Sequence, residues 1–147
     1  MNVTATGLKL QVLWEVDFEV DFSKTFSYKG IMYSGVHNLA SAFGYTNASW
    51  TLRADLTAEY ICRLLSHMDQ TGQTKCKPKI GAIAPTLTPW LAFRLGYVTR
   101  AMASFPKQGD VASWNVHQNY MLDRLAFRFG TLDDQIMRFS KPPRFKV

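Results

Sequence analysis

Gly44-Tyr45-Thr46-Asn47-Ala48-Ser49-Trp50-Thr51-Leu52-Arg53-Ala54-Asp55-Leu56 opens the stretch of this 147-residue chain whose periodicity is clearest. From Leu52 onward apolar residues recur every four positions, at Leu56, Tyr60, Leu64 and Met68, with Ile61 and Leu65 beside them. At 3.6 residues per turn that spacing draws one broad apolar stripe and predicts a helix over about 49–68. Asn47 and Ser49 are both N-cap residue types, and Gly72 stands just beyond the end, where a left-handed residue terminates helices. Arg53, Glu59, Arg63 and Asp69 fall off the stripe, and Arg53 reads as an exposed helical arginine. Cys62 reads as a buried thiol and Trp50 as a core residue.

Working outward, Val3-Thr4-Ala5-Thr6-Gly7 reads as a short strand entering a glycine turn. Between Leu8 and Phe22, Val12, Trp14, Val16, Phe18 and Val20 alternate with Glu15, Asp17, Glu19 and Asp21, the period of a half-buried strand. Residues 33–35 and 38–43 carry weaker strand signals. Beyond the helix, Lys75 to Pro89 holds three of the six prolines and reads as a loop or extended connector. Tyr97 to Phe105 has helical spacing stopped by Pro106, and a second helix is predicted from His117 to about Phe127, closed by Gly130. From Met137 the chain reads as extended on the surface.

Composition bounds the function. Apolar residues are 47% and charged residues 19% of the chain, which is the balance of a folded domain rather than a disordered one. No apolar run is long enough to span a membrane, and no basic region followed by an apolar stretch marks a secretory signal, so a cytoplasmic setting is expected. Cys62 and Cys76 are too few for a disulfide framework, and His37, His67 and His117 fall in no zinc-ligand spacing, so no metal site is expected. The net charge of +6 leaves nucleic acid open as a partner, but no Lys/Arg run or RNA-binding motif supports it, and none is expected.

The residues from Gly44 to Leu56, with Tyr28-Lys29-Gly30 and Ser34-Gly35-Val36 ahead of them, resemble bacterial flavin-containing monooxygenases of the Baeyer–Villiger group, of the ethionamide-activating type. The resemblance continues in order through Thr4-Ala5-Thr6-Gly7-Leu8, Cys62-Arg63-Leu64-Leu65, Phe105-Pro106-Lys107-Gln108-Gly109, Gln118-Asn119-Tyr120 and Met137-Arg138-Phe139-Ser140. Two departures stand out. His37 replaces the family's proline before Asn38, and the stretch from Leu13 to Thr25 is shortened.

The resemblance implies an α/β fold: the incomplete C-terminal part of a flavoprotein with two dinucleotide-binding domains, one for FAD and one for NADPH. It implies that residues 1–72 form the return segment of the FAD-binding domain, strands followed by the long helix, and that 73–147 form an extension packed on the missing domains. Neither Gly-x-Gly-x-x-Gly unit of the family occurs here, nor its Phe-x-Gly-x-x-x-His fingerprint, so the expected partner is an N-terminal FAD/NADPH-binding part, in cis or as a split chain. An incomplete parallel sheet, with poor stability in isolation, is the structural expectation.

The activity so implied is insertion of one oxygen atom from O2 into a ketone or a soft heteroatom of a small organic substrate, using FAD and NADPH. The chain alone is expected to be inactive, and no catalytic residue is assigned. The cofactor-lining residues implied by the resemblance are Thr6 and Gly7 at the return turn and Gly44, Tyr45, Thr46 and Asn47 at the start of the long helix. Physical chemistry fits that placement: a helix N-terminus offers unpaired N–H groups and the positive end of a dipole to an anionic flavin edge. For Asn47 a simple capping role stays equally open. A stand-alone binding protein that keeps the scaffold without the chemistry, and a small basic nucleic-acid-binding domain, are the competing readings.

Overall fold

The computed structural model of the chain describes residues 20–45, 47–81, 86–88 and 102–141. The long helix, α1, runs Trp50–Thr71. It continues three residues past the predicted end because Gly72, at φ 64°, closes it there: the Gly72 N–H reaches Asp69 O and the Gln73 N–H reaches Met68 O. Leu56, Tyr60, Leu64 and Met68 of the stripe are buried, while Leu52 at its start is 38% exposed.

Ahead of α1, strands β1 (Ser27–Tyr28) and β2 (Met32–Tyr33) form an antiparallel pair. Their turn places two successive residues, Lys29 (φ 51°) and Gly30 (φ 71°), in the left-handed region, and the Ile31 N–H closes it onto Tyr28 O at 3.0 Å. The predicted strand over 38–43 is reduced to one isolated bridge between Met32 and Ala40. The Val3–Gly7 strand and all but the end of the Leu8–Phe22 alternation lie outside the described residues; at that end Phe22–Lys24 is a single 3-10 turn capped by Asp21.

Behind α1, strand β3 (Lys75–Pro78) occupies the start of the stretch read as a connector. It pairs antiparallel with β6 (Met137–Ser140), so Met137 begins a paired strand and is itself buried. The other edge of β3 is taken by a loop: Asn38, left-handed at φ 51°, exchanges hydrogen bonds with the Cys76 backbone through its own N–H and its side-chain oxygen, and Gly35 N–H reaches Pro78 O. Two further short strands, β4 (Leu87–Thr88) and β5 (Gln108–Gly109), pair antiparallel. Of the predicted 97–105 helix only its end is described, and Met102–Ser104 is a 3-10 turn.

The second helix, α2, runs Tyr120–Phe129, with the Asn119 side chain accepting from Met121 and Leu122 N–H groups, and Gly130 directly after it. Among the described residues every strand ladder is antiparallel, and the only parallel pairing is the single bridge between Phe26 and Lys107. The expected parallel sheet therefore finds no ladder here; strands of two to four residues joined by tight turns pair antiparallel.

The core lies between α1, the β1–β2 turn and α2. Tyr28, Ile31, Met32, Leu56, Tyr60, Leu64, Trp114, Phe127 and Met137 form one cluster, with Tyr28 edge-on to Trp114 at 5.8 Å. Arg63 of α1 ties the helices on the outside by donating to the Phe127 and Gly130 carbonyls at the C-terminal end of α2, where a cation also suits the helix dipole. Cys62 points out to solvent, against its expected burial, because it stands two positions after Tyr60, off the buried face; Cys76 is the buried thiol.

Candidate functional site

Among the described residues Arg53 is the largest fully buried side chain, at 1% exposure, although its residue type predicts a solvent position. It belongs to the apolar face by spacing, three and seven residues ahead of Leu56 and Tyr60. Its guanidinium lies 3.0 Å from Asp123 of α2 and donates to His117 O and Lys29 O at 3.0 Å each. The rings of Tyr45 and Phe127 flank it, their centroids 5.3 and 5.9 Å from Cζ. One fork thus binds the β1–β2 turn, the loop before α2 and α2 itself to the start of α1. Asp123, the residue the sequence reading did not single out, was legible only as a lone acid four residues before Phe127 on the same helical face.

The segment leading into α1 is anchored on this cluster. Tyr45 is buried, and its phenol donates to Asp123 Oδ2 at 2.7 Å. Burial raises the Tyr45 pKa, and the Asp123 carboxylate adds to the rise. Burial likewise pushes the Asp123 carboxyl up, with Arg53 and then Tyr45 pulling it back. Asn47 is exposed, and its side-chain amide donates to Gln118 O at 3.0 Å. Gly44 is needed for a local reason: a Cβ there would lie 2.2 Å from the Trp50 indole. Trp50 itself is 52% exposed, packed on Gly44 and on the Phe43 ring at 5.0 Å, rather than sunk in the core. Thr6, Gly7 and Thr46 lie outside the described residues.

The N-terminus of α1 is open. Ser49 holds the N-cap position but makes no side-chain cap bond, its hydroxyl pairing instead with the Thr51 hydroxyl at 2.8 Å. No acidic residue stands in the first turn, and Asn47, Ala48, Ser49 and Trp50 are all exposed. Such an end presents N–H groups and partial positive charge to whatever lies in front of it. Among the described residues no group of three or more His, Cys, Asp or Glu side chains is placed to hold a metal ion, and no helix is long and apolar enough to cross a membrane.

Comparison with known proteins gives this geometry a context. Over 95% of its length the chain is 44% identical to the FAD-containing monooxygenase EthA of Mycolicibacterium smegmatis. This chain is homologous to the C-terminal portion of FAD-containing monooxygenases. The protein of the same name from Mycobacterium tuberculosis is 43% identical over 96% of the chain, and the probable FAD-binding monooxygenase AlmA of Acinetobacter baylyi is 40% identical over 95%. The chain spans 29–30% of the length of these curated relatives. No family model and no solved structure matches it. The Arg53–Asp123–Tyr45 cluster thus belongs to a segment homologous to FAD-containing monooxygenases.

Proposed function

We propose that this chain is the part of an FAD- and NADPH-dependent monooxygenase that closes the flavin site, in an enzyme inserting one oxygen atom of O2 into a ketone or soft heteroatom, the Baeyer–Villiger type of reaction. The observation that carries the reading is the 44% identity to an FAD-containing monooxygenase across 95% of the chain. In this reading residues 1–72 are the return segment of the FAD-binding domain and 73–147 are an extension that packs on the missing domains. The cofactor-facing residues are Thr6, Gly7, Gly44, Tyr45, Thr46 and Asn47.

The described residues fit such a cofactor in part. The uncapped N-terminus of α1 suits an electron-rich flavin edge, because its N–H groups have no competing side-chain acceptor at the cap and no acid in the first turn repels an anion. Asn47 is exposed beside it and carries both a donor and an acceptor. Tyr45 acts from behind: its phenol is engaged by Asp123, so its part is to hold the segment in place. Bound FAD, reduced by NADPH, supplies the oxygen-transfer chemistry. The residues of this chain supply orientation, a fixed positive dipole end and exclusion of water from one side.

The chain lacks a glycine-rich phosphate loop, so in isolation it is inactive in this reading. Neither a stand-alone binding role nor a nucleic-acid role is favoured by the relatives' names. The test is a chimera in which this chain replaces the matching segment of the M. smegmatis relative. Substrate-dependent NADPH oxidation by the chimera is the expected result; a folded chimera that oxidises no NADPH with any ketone or sulfide would refute the reading.

A further inference from the structure

Helix α2 carries apolar residues on two opposite sides. At 3.6 residues per turn, Asp123, Ala126 and Phe127 fall on one side and Met121, Leu122, Leu125 and Phe129 on the other. The first side is packed: Phe127 is buried, with its ring 5.6 Å from that of Tyr60. The second faces solvent, with Met121 57%, Leu122 51%, Leu125 56% and Phe129 76% exposed. Four large apolar side chains on the outer face of a ten-residue helix make a contiguous patch of the sort that marks an interaction surface. A helix apolar on both sides is built to lie between two layers.

We propose that the outer face of α2 docks the cofactor-binding portion of the monooxygenase, the roughly seven-tenths of a full-length relative outside the match. The inference rests on the functional reading above. Three observations select this occupant. The relatives carry that much additional chain beyond the matched segment. The open segment before α1 is tied to the loop that opens the same helix, through Asn47 on Gln118, so a body that reaches Asn47 also meets the N-terminal end of α2. Of the two flanking arginines, Arg128 is already committed within the chain, in a two-pronged bond to Glu59 at 2.6 Å. The face therefore offers mainly apolar contact, with one of its two flanking cations already paired, which suits a protein surface better than an anionic lipid one.

The experiment is maleimide labelling of a Phe129→Cys variant, read by peptide mass mapping, in the isolated chain and in the full-length chimera. Leu65→Cys, on the far side of α1 where Leu65 is 54% exposed, is the reference, and Leu125→Cys replaces Phe129→Cys if the latter loses helix signal. The proposal expects fast labelling at Phe129→Cys in the isolated chain, at least tenfold slower labelling in the chimera, and a smaller change at Leu65→Cys. Equal labelling of Phe129→Cys in both overturns it. So does protection that appears in the isolated chain as its concentration rises, which would mean a second copy covers the face. Protection by phosphatidylglycerol vesicles but not in the chimera overturns it in favour of a membrane surface. Flavin retention by the same chimera reports on the functional reading separately, so a chimera that holds flavin yet labels freely refutes the surface alone.

Discussion

Arg53 Nη1 and Asp123 Oδ2 lie 3.0 Å apart with their side chains 1% and 3% exposed, and this ion pair joins the two helices from inside the core. It is also the support of the segment that leads into α1, since the same Asp123 oxygen accepts the Tyr45 phenol. Removing one member leaves the other charged and buried. Asp123→Ala is expected to lower unfolding free energy by about 3–5 kcal/mol, the usual cost of orphaning a buried charge. Arg53→Met combined with Asp123→Leu is expected to cost less than the two single changes summed. Urea denaturation of the unsubstituted chain, Asp123→Ala, the two single changes and the double variant checks both statements.

The Arg53 fork also explains a glycine. A Cβ at Gly30 would stand 2.4 Å from Arg53 Nη2, and the residue is left-handed at φ +71°. Gly35 is left-handed too, at φ +79°, with nothing within 4 Å of the added atom. Gly35→Ala should cost only the backbone strain, about 1–2 kcal/mol, and Gly30→Ala clearly more. Thermal melts of the pair isolate the clash.

The two thiols should separate by reactivity. Cys62 is exposed on α1 and Cys76 is buried in β3, where burial also raises its pKa. In the native chain one thiol equivalent is expected to react quickly with a soluble disulfide reagent, with the second following only on unfolding. Peptide mapping identifies the fast site; early modification of Cys76 contradicts the packing described.

Alkaline pH should unfold the chain. Burial raises the pKa of Tyr28, Tyr33, Tyr45 and Tyr60, the last to about 12, and of Cys76. For a group whose folded pKa is raised, the folded state holds its proton longer than the unfolded state, so stability falls as pH rises from the unfolded value toward the folded one. The ordinary values here are 9.0 for the thiol and 10.0 for the phenols, so the loss begins there. Tyrosinate absorbance and helix signal are expected to change together above that range.

What the sequence made legible follows from where the information lies. The helix α1 and its Gly72 terminus are local features, visible in spacing and residue type. The β3–β6 pairing joins Cys76 to Phe139 across more than sixty residues and leaves no local pattern, while Pro78 makes its first strand look like a connector. For Arg53 and Cys62 helical position, not residue type, decides burial; Trp50 shares the face of Arg53 but, as the first residue of α1, lies beyond the core and is 52% exposed. Arg53 lies on the face of Leu56 and Tyr60, and Cys62 lies off it. At the candidate site, Gly44 and Tyr45 were singled out for a cofactor, and the described structure adds what they do inside the chain: Gly44 makes room for Trp50, and Tyr45 binds Asp123.

In the proposed function this chain completes a flavin site that it cannot form alone. The direct measurement is flavin absorbance after desalting, on the isolated chain and on the chimera with the M. smegmatis relative, each first mixed with excess FAD. Flavin is expected to be retained at one equivalent by the chimera and not at all by the isolated chain. Stoichiometric flavin on the isolated chain would contradict the proposed function, because FAD would then be held without a glycine-rich phosphate loop.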